Sequence, residues 1–306
     1  MSIKKTDVAI IGGGVAGLSA AMYARRFNLD VTIFDGLLGG TIARASQVEN
    51  YPGFERVTGI ELSNKIREHA LSYEPKIVNK IAESIKKKGG SFFIKAGDEE
   101  VEAKTVIFAT GAKEKKLGIK GETELYNRGV HECVLCDGGF YKDKITAVIG
   151  GGDSAAQGAI ILSGLTKKVY LIVRDNDIKP EPANYKKVKK LKNVELIPNT
   201  NVIEFIGEKT LTSVKLDKPY KGKDILELNG VFINIGYIPN SKLAKELGAK
   251  INKRNEVITN KDMETDIKGF YAAGDVTDSK FNQAITSASE GVIAAYSAYN
   301  YITKEC

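Results

Sequence analysis

The chain has 306 residues, 42% of them hydrophobic and 27% charged, with 31 glycines and 3 cysteines. That length accommodates two domains, and so few cysteines exclude a disulfide-stapled secreted scaffold. The formal charge is +7, but the lysines fall in scattered groups such as Lys86-Lys87-Lys88 and Lys186-Lys187 without interleaved aromatic residues, the pattern of a solvated face and not of a nucleic-acid partner.

No apolar h-region with a cleavage site follows Met1. No run of about 18 apolar residues occurs either, so a cytoplasmic protein with no membrane span is expected.

Residues 8–11 read as a short apolar strand, Gly12 to Gly17 as a turn, residues 18–27 as an alanine-rich helix and residues 31–34 as a strand ending in Asp35. This is the order of a dinucleotide fold. Gly12 makes the tight turn, Gly14 lets the backbone approach a pyrophosphate, Gly17 lets the helix pack on the strand, and Asp35 accepts from ribose hydroxyls. Gly39-Gly40-Thr41-Ile42 and a polar loop over 48–54 containing Asn50 come next. A helix is predicted over 60–72 and strands over 76–82, 91–96 and 101–108. The last strand ends in Ala109-Thr110-Gly111, a small-residue turn that a cofactor can approach closely.

Cys133 and Cys136 stand two residues apart. Such a pair can close a small disulfide ring, and its thiolate suits thiol–disulfide exchange. A structural zinc is the competing reading; it needs four ligands, and the remaining candidates are Cys306, His69 and His131.

The first pattern then repeats: a strand over 144–149, the turn Gly150-Gly151-Gly152-Asp153-Ser154-Ala155, a helix over 157–165 and a strand over 169–173. Two such units predict two nucleotide sites on one chain. At the end of the last strand Arg174 suits a 2′-phosphate, whereas Asp175 repels one and suits a free 2′-hydroxyl, so both readings stay open. Strands are predicted over 194–197, 201–206, 211–216 and 255–259, a buried strand and turn over 230–239, and a helix over 241–247. Gly274-Asp275 precedes an alanine-rich helix reaching about Tyr301. The Asp275 carboxylate can accept from a polyol or simply cap that helix.

Gly12-Gly13-Gly14-Val15-Ala16-Gly17, Gly39-Gly40, the segment from Val48 to Gly53, Ala109-Thr110-Gly111, Cys133 to Gly138, Gly150 to Ala155, Ala272 to Val276 and Gln283 to Ala288 occur in that order. With them the chain resembles the low-molecular-weight thioredoxin reductases over nearly its whole length. The resemblance implies an α/β fold of two Rossmann-like three-layer nucleotide-binding domains, the second inserted into the first: an FAD domain over 1–113 and 239–306, and a pyridine-nucleotide-type domain over 114–238 carrying the cysteines. It further implies FAD contacts at residues 12–17, Asp35, Gly36, Gly39, Gly40, Thr41, Ile42, Asn50, Ile81, Thr110, Gly111, Gly274, Asp275, Asn282, Gln283 and Ala284. The NADH or NADPH site is implied at residues 150–155 with Arg174 and Asp175. Cys136 is implied to face the flavin, Cys133 to attack the disulfide of thioredoxin or a thioredoxin-like protein, and Asp137 to serve as acid and base. Domain rotation about hinges near 113–116 and 237–240, and a homodimer, complete the implied picture.

The chain departs from the family in its donor site. NADPH-using members carry a His-Arg-Arg run and a later arginine where this chain has Val173-Arg174-Asp175 and Lys179, and a glutamate where it has Gln157. An arginine usual before Gln283 is Asn282. NADPH is therefore expected to be a poor donor, with NADH, or a deazaflavin or ferredoxin, in its place. A dithiol oxidase keeps the same chemistry in reverse, and a non-catalytic flavin redox sensor is the reading from another class. Cys306 reads as a tail thiol.

Overall fold

Short runs of β-branched residues flanked by glycine turns, alternating with small-residue helices, build the chain into open parallel sheets. The computed structural model describes residues 4–36, 39–45 and 47–304; Cys306 lies outside them. In chain order, the first part holds β1 (Lys4–Ile11), α1 (Val15–Arg26), β2 (Val31–Phe34), α2 (Gly59–Leu71), β3 (Lys76–Val78), β4 (Ser84–Lys88), β5 (Ser91–Ala96), β6 (Glu99–Phe108) and β7 (Ala112–Glu114). The middle holds β8 (Val130–His131), α3 (Val134–Asp137), β9 (Ile145–Ile149), α4 (Asp153–Ser163), β10 (Lys168–Ile172), α5 (Pro182–Lys189), β11 (Val194–Ile197), β12 (Val202–Ile206), β13 (Ser213–Tyr220), β14 (Lys223–Glu227), β15 (Gly230–Ile233) and β16 (Tyr237–Pro239). The chain closes with α6 (Lys242–Leu247), β17 (Phe270–Ala272) and α7 (Ala284–Lys304). Two compact units result, one of Met1–Lys113 with Ile238–Cys306 and one of Glu114–Tyr237.

In the first unit the sheet order is β3-β2-β1-β6-β5-β4, with β17 also on β6. Strands β3, β2, β1, β6 and β17 run parallel, while β5 and β4 form an antiparallel extension. Both faces of β1 are covered, which is why residues 8–11 are apolar without alternation. Val8 and Ile10 join α1 and α7 residues in one core, and Ala9 and Ile11 join Phe34, Phe92, Phe108 and Phe270 in another. The α1 and α7 contact is made by small residues: Ala20, Ala21 and Ala24 with Ala294, Ala295 and Ala298. Gly291 marks where the helices touch backbone to backbone, since an added Cβ would lie 2.1 Å from the Ala16 carbonyl oxygen.

The second unit repeats the logic with an all-parallel sheet, β11-β10-β9-β15-β8. Helix α4 packs on one face through Ala155, Ala156, Ala159 and Leu162. The antiparallel sheet β12-β13-β14 covers the other through Val202, Phe205, Val214 and Leu216. Its layers are thus helix, parallel sheet and antiparallel sheet, the α/β architecture the sequence predicts.

Several predicted elements change. Strand β3 is three residues long, where 76–82 was expected, and 255–259 is no strand but a loop with isolated bridges through Val257. Helix α4 begins at Asp153, earlier than the expected 157, because its first turn is the glycine loop itself. Among the described residues no helix is long and apolar enough to cross a membrane.

Alanine favours a helix interior over glycine by about 1 kcal/mol, but at Gly291 the clash with backbone must dominate. Gly291→Val is expected to cost about 1–3 kcal/mol by overpacking. A thermal melt should show a fall of several degrees; an unchanged Tm would show that α1 and α7 are not packed in this way.

Candidate active site

The register of the first sheet aligns its strand ends. Ile11 pairs with Phe34 and Phe108, and Phe108 with Ala272, so Gly12, Asp35, Ala109 and Ala273 follow at one level. Crevices at such carboxyl ends, where strand order reverses, receive ligands in doubly wound sheets. Here the reversal falls between β1 and β6. Gly12 has φ +111°, and a Cβ on it would lie 2.3 Å from the Ala109 carbonyl oxygen, so only glycine closes the turn without strain.

Around this crevice side chains are withheld. Gly14 precedes α1 with no capping side chain and no acidic residue in the first turn, leaving the helix N–H groups for an anion. Gly40, at φ +63°, would bring a Cβ within 2.9 Å of the Gly14 Cα, so the two loops meet as bare backbone. The buried Asp35 lies against Gly13 and its Oδ2 is 3.4 Å from the Arg67 Nη1. An added Cβ on Gly36 would meet Ile81, which is largely exposed. Thr41 and Ile42 open a short 3-10 turn, with Ile42 packed against Val48, Val57 and Leu62. Asn50 Nδ2 donates to Gln283 Oε1 at 3.0 Å, joining the 48–54 loop to the start of α7, where Asn282 is exposed and Ala284 half-buried.

Two contributors were not found from the sequence. Asn240 donates its N–H to the Gly111 carbonyl (2.9 Å) and its Nδ2 to the Thr110 carbonyl (3.0 Å), while accepting from Thr110 Oγ1 (3.0 Å). Glu290 is buried in α7 and accepts from the Gly274 N–H at 2.7 Å and Ser279 Oγ at 2.6 Å. Burial pushes the Glu290 carboxyl above its usual range. A lone carboxylate among alanines was the only signal available for it. Asp275 is likewise raised by burial, against a 3.4 Å hydrogen bond from Ser287 Oγ. A half-buried carboxylate with one weak donor can accept hydroxyls from a polyol. Glycine cradle, free helix N–H groups, Asp35 and Asp275 together fit a flavin dinucleotide.

In the second unit Ile149 pairs with Ile172 and Ile233, and Phe232 with His131, so the glycine turn and the cysteine segment leave the same edge of one sheet. Gly150 has φ +139°, with the Asn234 carbonyl oxygen 2.0 Å from where its Cβ would be. Gly152 precedes α4, and an added Cβ there meets nothing within 4 Å, room that fits a diphosphate. Asp153 Oδ1 accepts from the Glu181 N–H at 2.7 Å and Asn184 Nδ2 at 3.1 Å, and the Lys179 N–H donates to the Gly151 carbonyl at 2.7 Å. Ser154 is half-buried and Ala155 fully buried. Arg174 and Asp175 are exposed, and the carboxylate answers both local cations: Arg174 Nε at 3.8 Å and Lys179 Nζ at 3.2 Å.

Cys133 and Cys136 form a disulfide with Cα atoms 5.3 Å apart. Cys133 is the N-cap of α3, and the Cys136 N–H donates to its Sγ at 3.1 Å. Val134 between them is buried against α4, where Gly158 leaves room for it, while Leu135 is exposed. The loop is thereby pinned at one residue and presented at the next. Asp137 follows, with Oδ2 3.1 Å from His131 Nδ1.

Residues 6–291 match the family described as pyridine nucleotide-disulphide oxidoreductase. The thioredoxin reductase of Mycoplasma pneumoniae is 37% identical over 292 residues, 94% of this chain and 92% of the relative. The crystal structure of Lactococcus lactis thioredoxin reductase aligns with a TM-score of 0.94 at 32% identity, covering 98% of this chain and 99% of that one. That of T. acidophilum thioredoxin reductase aligns with a TM-score of 0.91 at 38% identity, covering 97% and 98%. Two glycine-turn folds, a redox-closed cysteine pair and likeness along nearly the whole chain agree, and the chain belongs to the pyridine nucleotide-disulphide oxidoreductases as a low-molecular-weight thioredoxin reductase.

Proposed function

We propose that Cys133 and Cys136 carry the electrons of thioredoxin reduction in this flavin-dependent enzyme, with Cys133 as attacking thiolate and Asp137 as its acid and base. The observation that carries this reading is the closed Cys133–Cys136 pair with the Cys136 N–H directed at the Cys133 sulfur. In the dithiol state that donor and the N-cap position favour the thiolate at Cys133. Residues 12–17, Asp35, Thr110, Gly111, Asp275 and Gln283 would hold FAD, which when bound would supply a two-electron carrier between nicotinamide and disulfide. Asp137 takes the Cys133 proton as the thiolate forms and returns it to the departing substrate thiolate. Cys136 then attacks Cys133 and restores the disulfide.

We also propose NADH over NADPH as donor. Asp175 already neutralises Arg174 and Lys179, and its charge repels a 2′-phosphate while suiting a free 2′-hydroxyl.

Cys133→Ser is expected to abolish thioredoxin reduction with FAD retained, whereas Cys136→Ser should trap a mixed disulfide with thioredoxin on a non-reducing gel. A trap formed by Cys133→Ser instead would reverse the two roles. Asp275→Ala should release FAD on desalting; full retention would remove Asp275 from the cofactor site. Anaerobic mixing should bleach the flavin faster with NADH than with NADPH, and Asp175→Arg should raise kcat/KM for NADPH about tenfold, near 1.4 kcal/mol. Bleaching by neither nucleotide but by dithionite would overturn the donor proposal and point to ferredoxin or a deazaflavin.

A further inference from the structure

The second unit contains a buried side-chain relay that the proposed chemistry does not yet use. His131 ends β8 with its side chain buried, stacked on Phe232 at 5.4 Å between centroids and 26° between planes. Its Nε2 is 2.7 Å from the Tyr141 hydroxyl. Its Nδ1 faces Asp137 Oδ2 at 3.1 Å, yet without the alignment of a hydrogen bond, so this buried nitrogen has no well-made partner. The Tyr141 ring is fixed in turn: it stands edge-on to Phe232 at 5.7 Å and 87°, and a Cβ on Gly230 would lie 2.5 Å from its Cε1. Glycine at 230 is what admits the phenol.

A histidine that served only to fill the core would have both nitrogens satisfied. Here one nitrogen is held and the other lies 3.1 Å from the carboxylate that follows the cysteine pair, the hydrogen bond between them not closed. Burial draws His131 below its ordinary range, against the pull of Asp137, and so favours the neutral ring. A neutral imidazole carries one proton. If the Tyr141 hydroxyl donates to Nε2, that proton is on Nδ1, on the side of the ring where Asp137 stands and open to a small turn of the carboxylate. Glu132 accepts from the Tyr126 hydroxyl at 3.3 Å, and Lys144 lies over the Tyr141 ring at 5.6 Å.

We propose that His131 is a positioning residue for Asp137, its tautomer fixed by Tyr141, and that the carboxylate swings between the His131 Nδ1 and the cysteine sulfurs during each turnover. The inference rests on the reading of Asp137 as acid and base. As Cys133 loses its proton to Asp137 and bonds to one substrate sulfur, the substrate disulfide breaks and its other sulfur leaves as a thiolate. Asp137 returns the proton to that thiolate. Cys136 then displaces the second substrate sulfur, which takes the Cys136 proton, so two electrons and two protons pass to the substrate. His131 changes no bond. It holds the carboxylate at one end of its swing and limits the rotamers from which it must return, as the third group does in nucleophile–base–orienter arrangements.

The test uses full-length FAD-loaded protein, reduced anaerobically with dithionite and mixed with oxidised thioredoxin, so that no nicotinamide donor is needed. Thioredoxin thiols are counted in acid-quenched samples. His131→Leu is expected to slow transfer about tenfold or more, within the range of general acid–base effects, while the dependence on thioredoxin concentration stays as in the parent. His131→Asn, whose amide donates from nearly the place of Nδ1, should restore the rate to within about threefold of the parent. In an Asp137→Asn background His131→Leu should slow nothing further, because it acts through that carboxylate. Transfer by His131→Leu at the parent rate, or equal slowing with and without Asp137, would overturn the inference. Should His131→Leu not fold, Tyr141→Phe, which keeps the ring and removes the hydroxyl, must slow transfer in the same Asp137-dependent way. Parental transfer by Asp137→Asn would remove the acid–base reading and this inference with it. Slow Asp137→Asn beside fast His131→Leu would remove this inference alone.

Discussion

The glycine turn at the head of each unit depends on backbone approaching backbone where a Cβ would stand in the way. At the end of β1 an added methyl on Gly12 would lie 2.3 Å from the Ala109 carbonyl oxygen, and at the end of β9 one on Gly150 would lie 2.0 Å from that of Asn234. The two units thus solve one steric problem twice. In each, the turn after the central strand is pulled against the end of its parallel neighbour, which directs the following helix N-terminus over the strand ends. Gly17 extends the constraint, since its Cβ would lie 1.9 Å from the Gly12 oxygen. Strand, turn and helix are consequently one rigid piece in which the anion site is a by-product of close packing.

How far this was legible in the sequence follows from the range of the forces involved. Glycine turns and doubly buried strands are local patterns, so β1, β2, β9 and β10 could be read with their connecting turns. Strand β4 could not: Ser84–Lys88 carries three consecutive lysines, and it becomes a strand through pairing with β5 at the sheet edge. Helix α5 has one buried residue, Val188, and no apolar stripe to show its period. The 255–259 segment misled in the opposite sense, its pattern answering to one buried apolar residue, Val257, beside the buried Glu256 in a loop.

At the site the same distinction holds. Cysteine spacing and glycine motifs advertise themselves, whereas Asn240, Glu290 and the His131–Tyr141 pair act across the fold. Thr110 and Asn240 are 130 positions apart in the chain and share two hydrogen bonds. Gly230 would pass as an ordinary strand-start glycine until Tyr141 is seen packed on it. Polar side chains that serve another residue leave no periodicity behind, since one contact at one position is enough.

The Asn240 contacts carry a consequence for how the chain is assembled. They clasp the last residues before the middle unit to the first ones after it, with Asn240 bonded to both Thr110 and Gly111. Seen from the first unit, Glu114–Tyr237 is one very long surface loop whose two ends are already fastened. Loop closure grows only with the logarithm of length, roughly 0.6 kcal/mol for each doubling. A clasp of three hydrogen bonds therefore lets an entire folded domain occupy a connection that a short turn could have made, at little thermodynamic cost to its host. It also makes the host's topology indifferent to what the loop contains, so the inserted unit is free to diverge in its donor-binding residues while the flavin fold around it stays intact.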